Sequence, residues 1–209
     1  LYRKNPRFDL ISTGKVTNGN LTLQDKHLQR LEEAASYFAY PFDQSKLEQE
    51  LEESCAQLDK GQDYRLRIAL KKDGSIELET APLLPLTETF RKAKLVEQTA
   101  NLAHPFTYFK TSYRPHLTLE QQEQIYYNAQ DQLLETSIGN LLLELDGKLY
   151  TPPAELGLLK GIYRQQLLDE GKATEKVLTL ADLAKADKIY ACNAVRELYE
   201  LELDSKSSL

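Results

Sequence analysis

Four short stretches carry residue types that chemistry could use. In Tyr108-Phe109-Lys110-Thr111-Ser112-Tyr113-Arg114 a lysine stands among aromatic residues. Loss of solvation there favours the neutral, nucleophilic amine. Taken alone, the stretch also fits a surface lysine at a strand end. In Leu134-Glu135-Thr136-Ser137-Ile138-Gly139-Asn140-Leu141 a carboxylate precedes a small polar turn that enters an apolar strand. An ordinary turn with Ser and Asn bonding the backbone gives the same pattern. In Leu159-Lys160-Gly161-Ile162-Tyr163-Arg164 a glycine opens a helix with no acid in its first turn. Free amides and the helix dipole there can hold a phosphate, although a plain helix start reads alike. In His27-Leu28-Gln29-Arg30-Leu31 the two leucines face a core and Arg30 sits at the edge of the stripe. That arginine either snorkels to solvent or offers a fork to phosphate oxygens.

The elements that must position these residues follow from periodicity. Residues 8–16 read as a strand, closed by the turn Asn18-Gly19-Asn20. Leu28, Leu31, Ala35 and Phe38 predict a helix over 24–38, ended by Pro41. Ser45 and Glu48 read as the capping box of a second helix that buries Leu47, Leu51, Cys55 and Leu58. Tyr64, Leu66, Ile68 and Leu70 alternate as in a half-buried strand, and Asp73-Gly74 turns the chain into Ile76 and Leu78. A strand is expected at 93–98, and the mixed segment 100–109 reads as a link between two domains. Further on, Ile125-Tyr126-Tyr127 reads as a strand. Residues 141–145 and 148–151 form a hairpin around Asp146-Gly147, a helix starts near Gly161, and Thr179 with Asp182 caps a short helix. Lys188 to Cys192 is a late strand. There is no internal repeat, and the mixture of hairpins and helices says α+β.

Composition narrows the function classes. The chain has 209 residues, 41% hydrophobic and 28% charged, an ordinary globular mix for one or two domains. Its net charge of -6 argues against nucleic acid or an anionic membrane as the main partner. No apolar run approaches the roughly 20 residues of a membrane span, and no signal peptide is evident at Leu1-Tyr2-Arg3-Lys4. Cys55 and Cys192 read as buried, reduced thiols of a cytoplasmic protein, and His27, His104 and His116 do not cluster with them into a metal site. Neither Met nor Trp occurs. An excised segment, or methionines missing from the written sequence, would account for that.

Taken in order, the four stretches resemble the motifs of the class IV aminotransferase family, the fold-type IV pyridoxal-phosphate enzymes. Phe8 to Thr13 resembles the opening strand of the lyase branch, and Tyr190 to Arg196 resembles the late strand and turn beside the phosphate. The resemblance implies pyridoxal 5'-phosphate as cofactor and Lys110 as its Schiff-base lysine. It assigns Arg30, Gly161, Ile162, Tyr163, Asn193 and Ala194 to cofactor binding and Glu135 to the pyridine nitrogen. Thr13 falls where lyases carry a threonine near the substrate, and Arg114 is a candidate for a substrate carboxylate; no metal is implied.

Within the family the similarity leans to the aminodeoxychorismate lyases, which turn 4-amino-4-deoxychorismate into 4-aminobenzoate and pyruvate in folate biosynthesis. The alternative is an aminotransferase for D- or branched-chain amino acids, and a third reading is a cofactor-poor module that stabilises a partner or a fused synthase. The implied fold has a smaller N-terminal α/β domain over 1–104 and a barrel-like C-terminal domain over 105–209, with the cofactor between them. A homodimer is expected. The chain also resembles the lyase module fused behind aminodeoxychorismate synthase component I, so it reads as part of such a polypeptide or as a shortened stand-alone relative.

Overall fold

Alternation along Leu10–Thr17 builds the first strand, β1, with Leu10, Ser12, Gly14 and Val16 buried. In this computed structural model the residues described are 7–99, 105–120 and 122–204. Asn18 and Gly19 both take positive φ, 53° and 75°, and turn β1 into β2 (Asn20–Leu21). Two such residues make the tight hairpin turn whose twist matches paired strands. Helix α1 (Gln24–Phe38) has the expected limits and ends where Ala39 turns left-handed at φ 53°. Helix α2 (Gln44–Ala56) starts differently from the capping box expected of Ser45 and Glu48. Its cap is Asp43, whose side chain accepts from Lys46 N at 3.0 Å. Glu48 instead accepts from Gln44 Nε2 at 2.8 Å, one turn away. A carboxylate suits the N-cap as well as a hydroxyl does, and it also meets the positive helix end.

Strands β3 (Tyr64–Leu70) and β4 (Ile76–Pro82) complete an antiparallel sheet of order β2-β1-β3-β4. One face carries Leu10, Val16, Leu66, Ile68 and Leu70 against Leu28, Leu31, Ala35, Leu47, Leu51 and Cys55 of the two helices. The period of two puts Thr13 and Lys15 on the other face, in register with Arg67 and Arg65. The segment Phe109–Arg114 belongs to this same compact unit, which otherwise comprises the chain up to Leu84. It runs along β1: Ile11 N donates to Lys110 O at 2.8 Å and Ser112 N to Asp9 O at 2.9 Å. Phe109 packs on Tyr37 and Phe38, with ring centroids 4.6 and 5.2 Å apart.

The second unit takes Pro85–Tyr108 and the chain from Pro115 onward. It contains α3 (Glu88–Arg91), β5 (Lys92–Glu97), α4 (Pro105–Tyr108), β6 (Glu123–Tyr127), β7 (Leu133–Thr136), β8 (Asn140–Leu145) and β9 (Lys148–Thr151). Then come α5 (Ile162–Asp169), β10 (Ala173–Glu175), α6 (Leu180–Leu183), β11 (Lys188–Asn193) and β12 (Glu197–Leu203). The strand order is β10-β9-β8-β11-β12-β5-β6-β7, and β7 also pairs with β8. That last pairing closes six strands into a barrel, with β9 and β10 as an outer extension. Ile125, Leu133, Leu141, Leu143, Ala191, Tyr199 and Leu201 are buried in one cluster of this unit.

The hairpin at Asp146-Gly147 and the capping box of Thr179 with Asp182 are both present. Strands β7, β10 and β12 were not expected from the sequence. The fold is therefore mixed α/β, an antiparallel sheet with helices and a barrel. The domain boundary expected between residues 104 and 105, and His104 itself, abut or fall in 100–104, outside the described residues. Among the described residues no helix is long and apolar enough to cross a membrane.

Candidate active site

In the first unit the lysine segment and α1 assemble a cationic cluster. The Lys110 amine is pushed well below the usual lysine value, first by burial and then by the charges of Arg30, Arg114, Arg65 and Arg67. A depressed lysine is a neutral amine near pH 7, which can attack a carbonyl carbon or accept a proton. Arg30 is itself pulled down to about 9 by burial and by Arg114, so it stays charged at neutral pH within a crowd of like charges. Its Nη2 donates to Ser12 Oγ at 2.7 Å. Its Nε is buried with no hydrogen-bond partner among the described residues. Ser12 Oγ lies 2.7 Å from His27 Nδ1, both residues being fully buried. His27 is held well below its ordinary value by burial, Arg30 and Lys110, and is therefore neutral.

Thr13 lies half-buried on the sheet face away from α1, in register with Arg67. Arg67 also pairs with Glu79 at 2.8 Å. The sequence had singled out Lys110, Arg30, Arg114 and Thr13. It missed Arg65 and Arg67, although the alternation of β3 already placed both on one face. It also missed Ser12, whose only sign was a small polar residue at an inward position.

In the second unit Glu135 is buried at the end of β7, in register with Asn140 at the start of β8. The turn between them is cross-braced. Thr136 N donates to Gly139 O at 2.9 Å, and Gly139 N donates to Thr136 Oγ1 at 3.0 Å. Thr136 Oγ1 in turn donates to the buried carboxylate of Glu123 at 2.5 Å, which also accepts from Tyr199 OH at 3.1 Å. Burial raises Glu123 above the usual carboxylate range despite these donors. Asn140 Nδ2 donates to Leu159 O at 2.7 Å, just ahead of the α5 N-cap Gly161. A Cβ on Gly161 would stand 1.9 Å from Asn140 Oδ1, so only glycine lets the two meet.

No side chain caps this helix end, and its first turn holds no acid. Asn193 Nδ2 reaches Ile138 O at 3.4 Å, while its Oδ1 accepts from Val195 N and Arg196 N at 2.9 and 2.8 Å. Ala194, between them, is buried. Ile162 is buried and Tyr163 half-buried on α5. Arg164 is turned away to Pro152 O at 2.8 Å and Glu175 at 2.5 Å, a structural role. Within this unit, then, Glu135, Gly161 and Asn193 are linked through the 136–140 turn.

Each unit by itself offers donors suited to part of a group that carries a phosphate and an aldehyde. A neutral amine suits the aldehyde. In the first unit an arginine fork whose buried Nε has no hydrogen-bond partner among the described residues suits a phosphate; in the second, taken by itself, so does a glycine-opened helix end. Comparison with known proteins points the same way. A family model described as amino-transferase class IV matches residues 9–201. A Schizosaccharomyces pombe protein assigned as an aminodeoxychorismate lyase is 24% identical over 199 residues, covering 87% of this chain and 84% of its own. A Thermotoga maritima protein assigned as a branched-chain-amino-acid aminotransferase is 28% identical over 185 residues, covering 79% of this chain and 66% of its own. A solved structure assigned as an amino-acid aminotransferase, from Mesorhizobium loti, matches with a TM-score of 0.82 and 27% identity over 94% of this chain and 100% of its own.

Proposed function

The chain belongs to the class IV aminotransferase family, whose members use pyridoxal 5'-phosphate, and from that premise we propose that it is an aminodeoxychorismate lyase. The reaction releases pyruvate from 4-amino-4-deoxychorismate and leaves 4-aminobenzoate. What supports the preference is the charge around Lys110, whose amine is lowered by burial and by Arg30, Arg114, Arg65 and Arg67, the last already paired with Glu79. The cofactor phosphate and the single carboxylate of a branched-chain amino acid call for fewer cations. Aminodeoxychorismate brings two carboxylates, which such a surround accommodates.

The proposal assigns the cofactor's phosphate to Arg30, to the α5 start at Gly161-Ile162-Tyr163 and to the Asn193-Ala194 turn. It assigns the pyridine nitrogen to Glu135, whose negative charge favours the protonated ring. When bound, the cofactor supplies the electron sink that makes loss of a proton from the amine-bearing carbon feasible. Lys110 removes that proton as general base, because burial and the neighbouring guanidinium groups keep its amine neutral. The enolpyruvyl C–O bond then breaks, and Lys110 returns a proton to the departing methylene, giving pyruvate and an aromatic ring. Arg114 is assigned to a substrate carboxylate and Thr13 to the substrate's edge.

The similarity to the Thermotoga protein favours a second reading, an aminotransferase, which uses the same residues. The test is pyruvate formation from aminodeoxychorismate by the protein with added cofactor, read by coupled reduction to lactate. Lys110→Ala abolishes it. Amino-group transfer to a keto acid with no pyruvate released refutes the lyase reading and supports the second.

A further inference from the structure

We infer that Ser12 is a positioning residue that, oriented by His27, holds the Arg30 guanidinium in its anion-binding pose. Arginine can only donate, so Ser12 Oγ is the acceptor in its 2.7 Å contact with Arg30 Nη2. The hydroxyl hydrogen is then left to point elsewhere, and His27 Nδ1 lies 2.7 Å away. A neutral imidazole accepts there when its own proton sits on Nε2, a buried atom with no hydrogen-bond partner among the described residues. His27 thus turns the Ser12 hydroxyl so that its lone pairs face Arg30.

The imidazole is itself fixed by close packing. A Cβ on Gly14 would stand 2.5 Å from His27 Nε2, so the ring lies directly against the β1 backbone. Ser12 and His27 are both fully buried. The relay therefore runs through four residues of one unit, Gly14 backing His27, His27 orienting Ser12, Ser12 anchoring one Nη of Arg30. Arg30 Nε, which has no hydrogen-bond partner among the described residues, remains for an anion. Anchoring one arm of a guanidinium removes rotamer freedom before binding, which is how preorganisation gains affinity.

This inference rests on the reading that Arg30 holds the cofactor phosphate, and the experiment separates the two. Pyridoxal 5'-phosphate and pyridoxal, which lacks the phosphate, are titrated by absorbance into the protein freed of cofactor. The readout is the ratio of their dissociation constants in the parent, Ser12→Ala, Arg30→Gln and the double variant. Ser12→Ala changes little volume, and thermal unfolding confirms that each variant is folded. The expected result is that Ser12→Ala weakens the phosphate form about tenfold, as for a hydrogen bond to a charged group, and leaves pyridoxal unchanged. In the Arg30→Gln background Ser12→Ala then has no further effect, since its action runs through Arg30. Equal weakening of both ligands, no weakening, or an effect that persists without Arg30 overturns the inference. A ratio unmoved by Arg30→Gln overturns the phosphate reading of Arg30 itself, and the inference falls with it.

Discussion

Gly139→Ala tests whether the turn after Glu135 is as tightly braced as the geometry indicates. A Cβ at Gly139 would lie 2.6 Å from the carbonyl oxygen of Cys192 and 3.2 Å from its carbonyl carbon. Those atoms belong to the β11 backbone, which the ladder pairs with β8, Cys192 opposite Asn140, so no side-chain rotation can relieve the clash. A close carbon–oxygen contact needs about 3.3 Å, which asks the turn to move roughly 0.7 Å. Two hydrogen bonds resist that movement, Gly139 N to Thr136 Oγ1 at 3.0 Å and Thr136 N to Gly139 O at 2.9 Å.

Weakening one or both costs about 1–2 kcal/mol, and overpacking adds about 1–2 kcal/mol. For a chain of this size that corresponds to a fall in melting temperature of roughly 5–15 °C. The assay is thermal unfolding of the cofactor-free protein by circular dichroism. The control is Gly61→Ala, where a Cβ meets only the flexible Asp59 side chain, at 3.3 Å. Under the proposed assignment of Glu135 to the cofactor's pyridine nitrogen, cofactor affinity falls as well. A Gly139→Ala protein that melts within about 2 °C of the parent would falsify the bracing argument.

Two further predictions concern pH. The folded-state value of Lys110 lies below its ordinary 10.5, so the unfolded chain binds this proton more readily and folding is penalised at neutral pH. Lys110→Met therefore raises the melting temperature of the cofactor-free protein at pH 7, and the gain shrinks as pH rises toward 10.5; a gain that grows with pH contradicts the assignment. Glu123 has the opposite sign, a carboxylate raised above its ordinary 4.5 by burial. Its contribution is fully present below 4.5 and is lost as pH climbs through the raised value. Denaturant unfolding of the parent and Glu123→Gln across that window should show the parent losing stability relative to the variant, and parallel curves would exclude it.

What the sequence disclosed depended on whether burial was one-sided. Helix α1 was legible because Leu28, Leu31 and Ala35 form one stripe, and β3 because it alternates. Strand β7, Leu133–Thr136, has all four residues buried and offers no period to read. Strand β6 buries Glu123 and Gln124 beside Ile125 and Tyr126, against the expectation that polar residues mark the outside. Their burial is possible because partners satisfy them: Thr136 and Tyr199, from distant segments, for Glu123, and Tyr126 OH, two residues along the same strand, for Gln124 Oε1 at 2.7 Å. Strand β12 does alternate, with Tyr199 and Leu201 buried, but three glutamates in seven residues make it look like solvent-exposed chain. The motif residues were legible as types, while Ser12 and Asn140 owe their roles to neighbours 15 to 19 residues away.

Under the proposed function, the cationic cluster of the first unit would let one lysine serve both cofactor capture and proton transfer. A bound phosphate dianion would neutralise Arg30 and so relieve one of the charges that hold Lys110 down. If Arg30 were the main cause, ligand binding would restore an ordinary, protonated lysine and end its use as a base. The ordering of causes prevents this, because burial ranks first, and Arg114, Arg65 and Arg67 act alongside Arg30. Arg67 is partly matched by Glu79 at 2.8 Å. Arg114 and Arg65 rank ahead of it among the charges that depress Lys110. A substrate with two carboxylates would neutralise these in turn, leaving burial to hold the amine neutral. That shift would raise the basicity of Lys110 after substrate has arrived, when a base is required, and keep the amine nucleophilic before it.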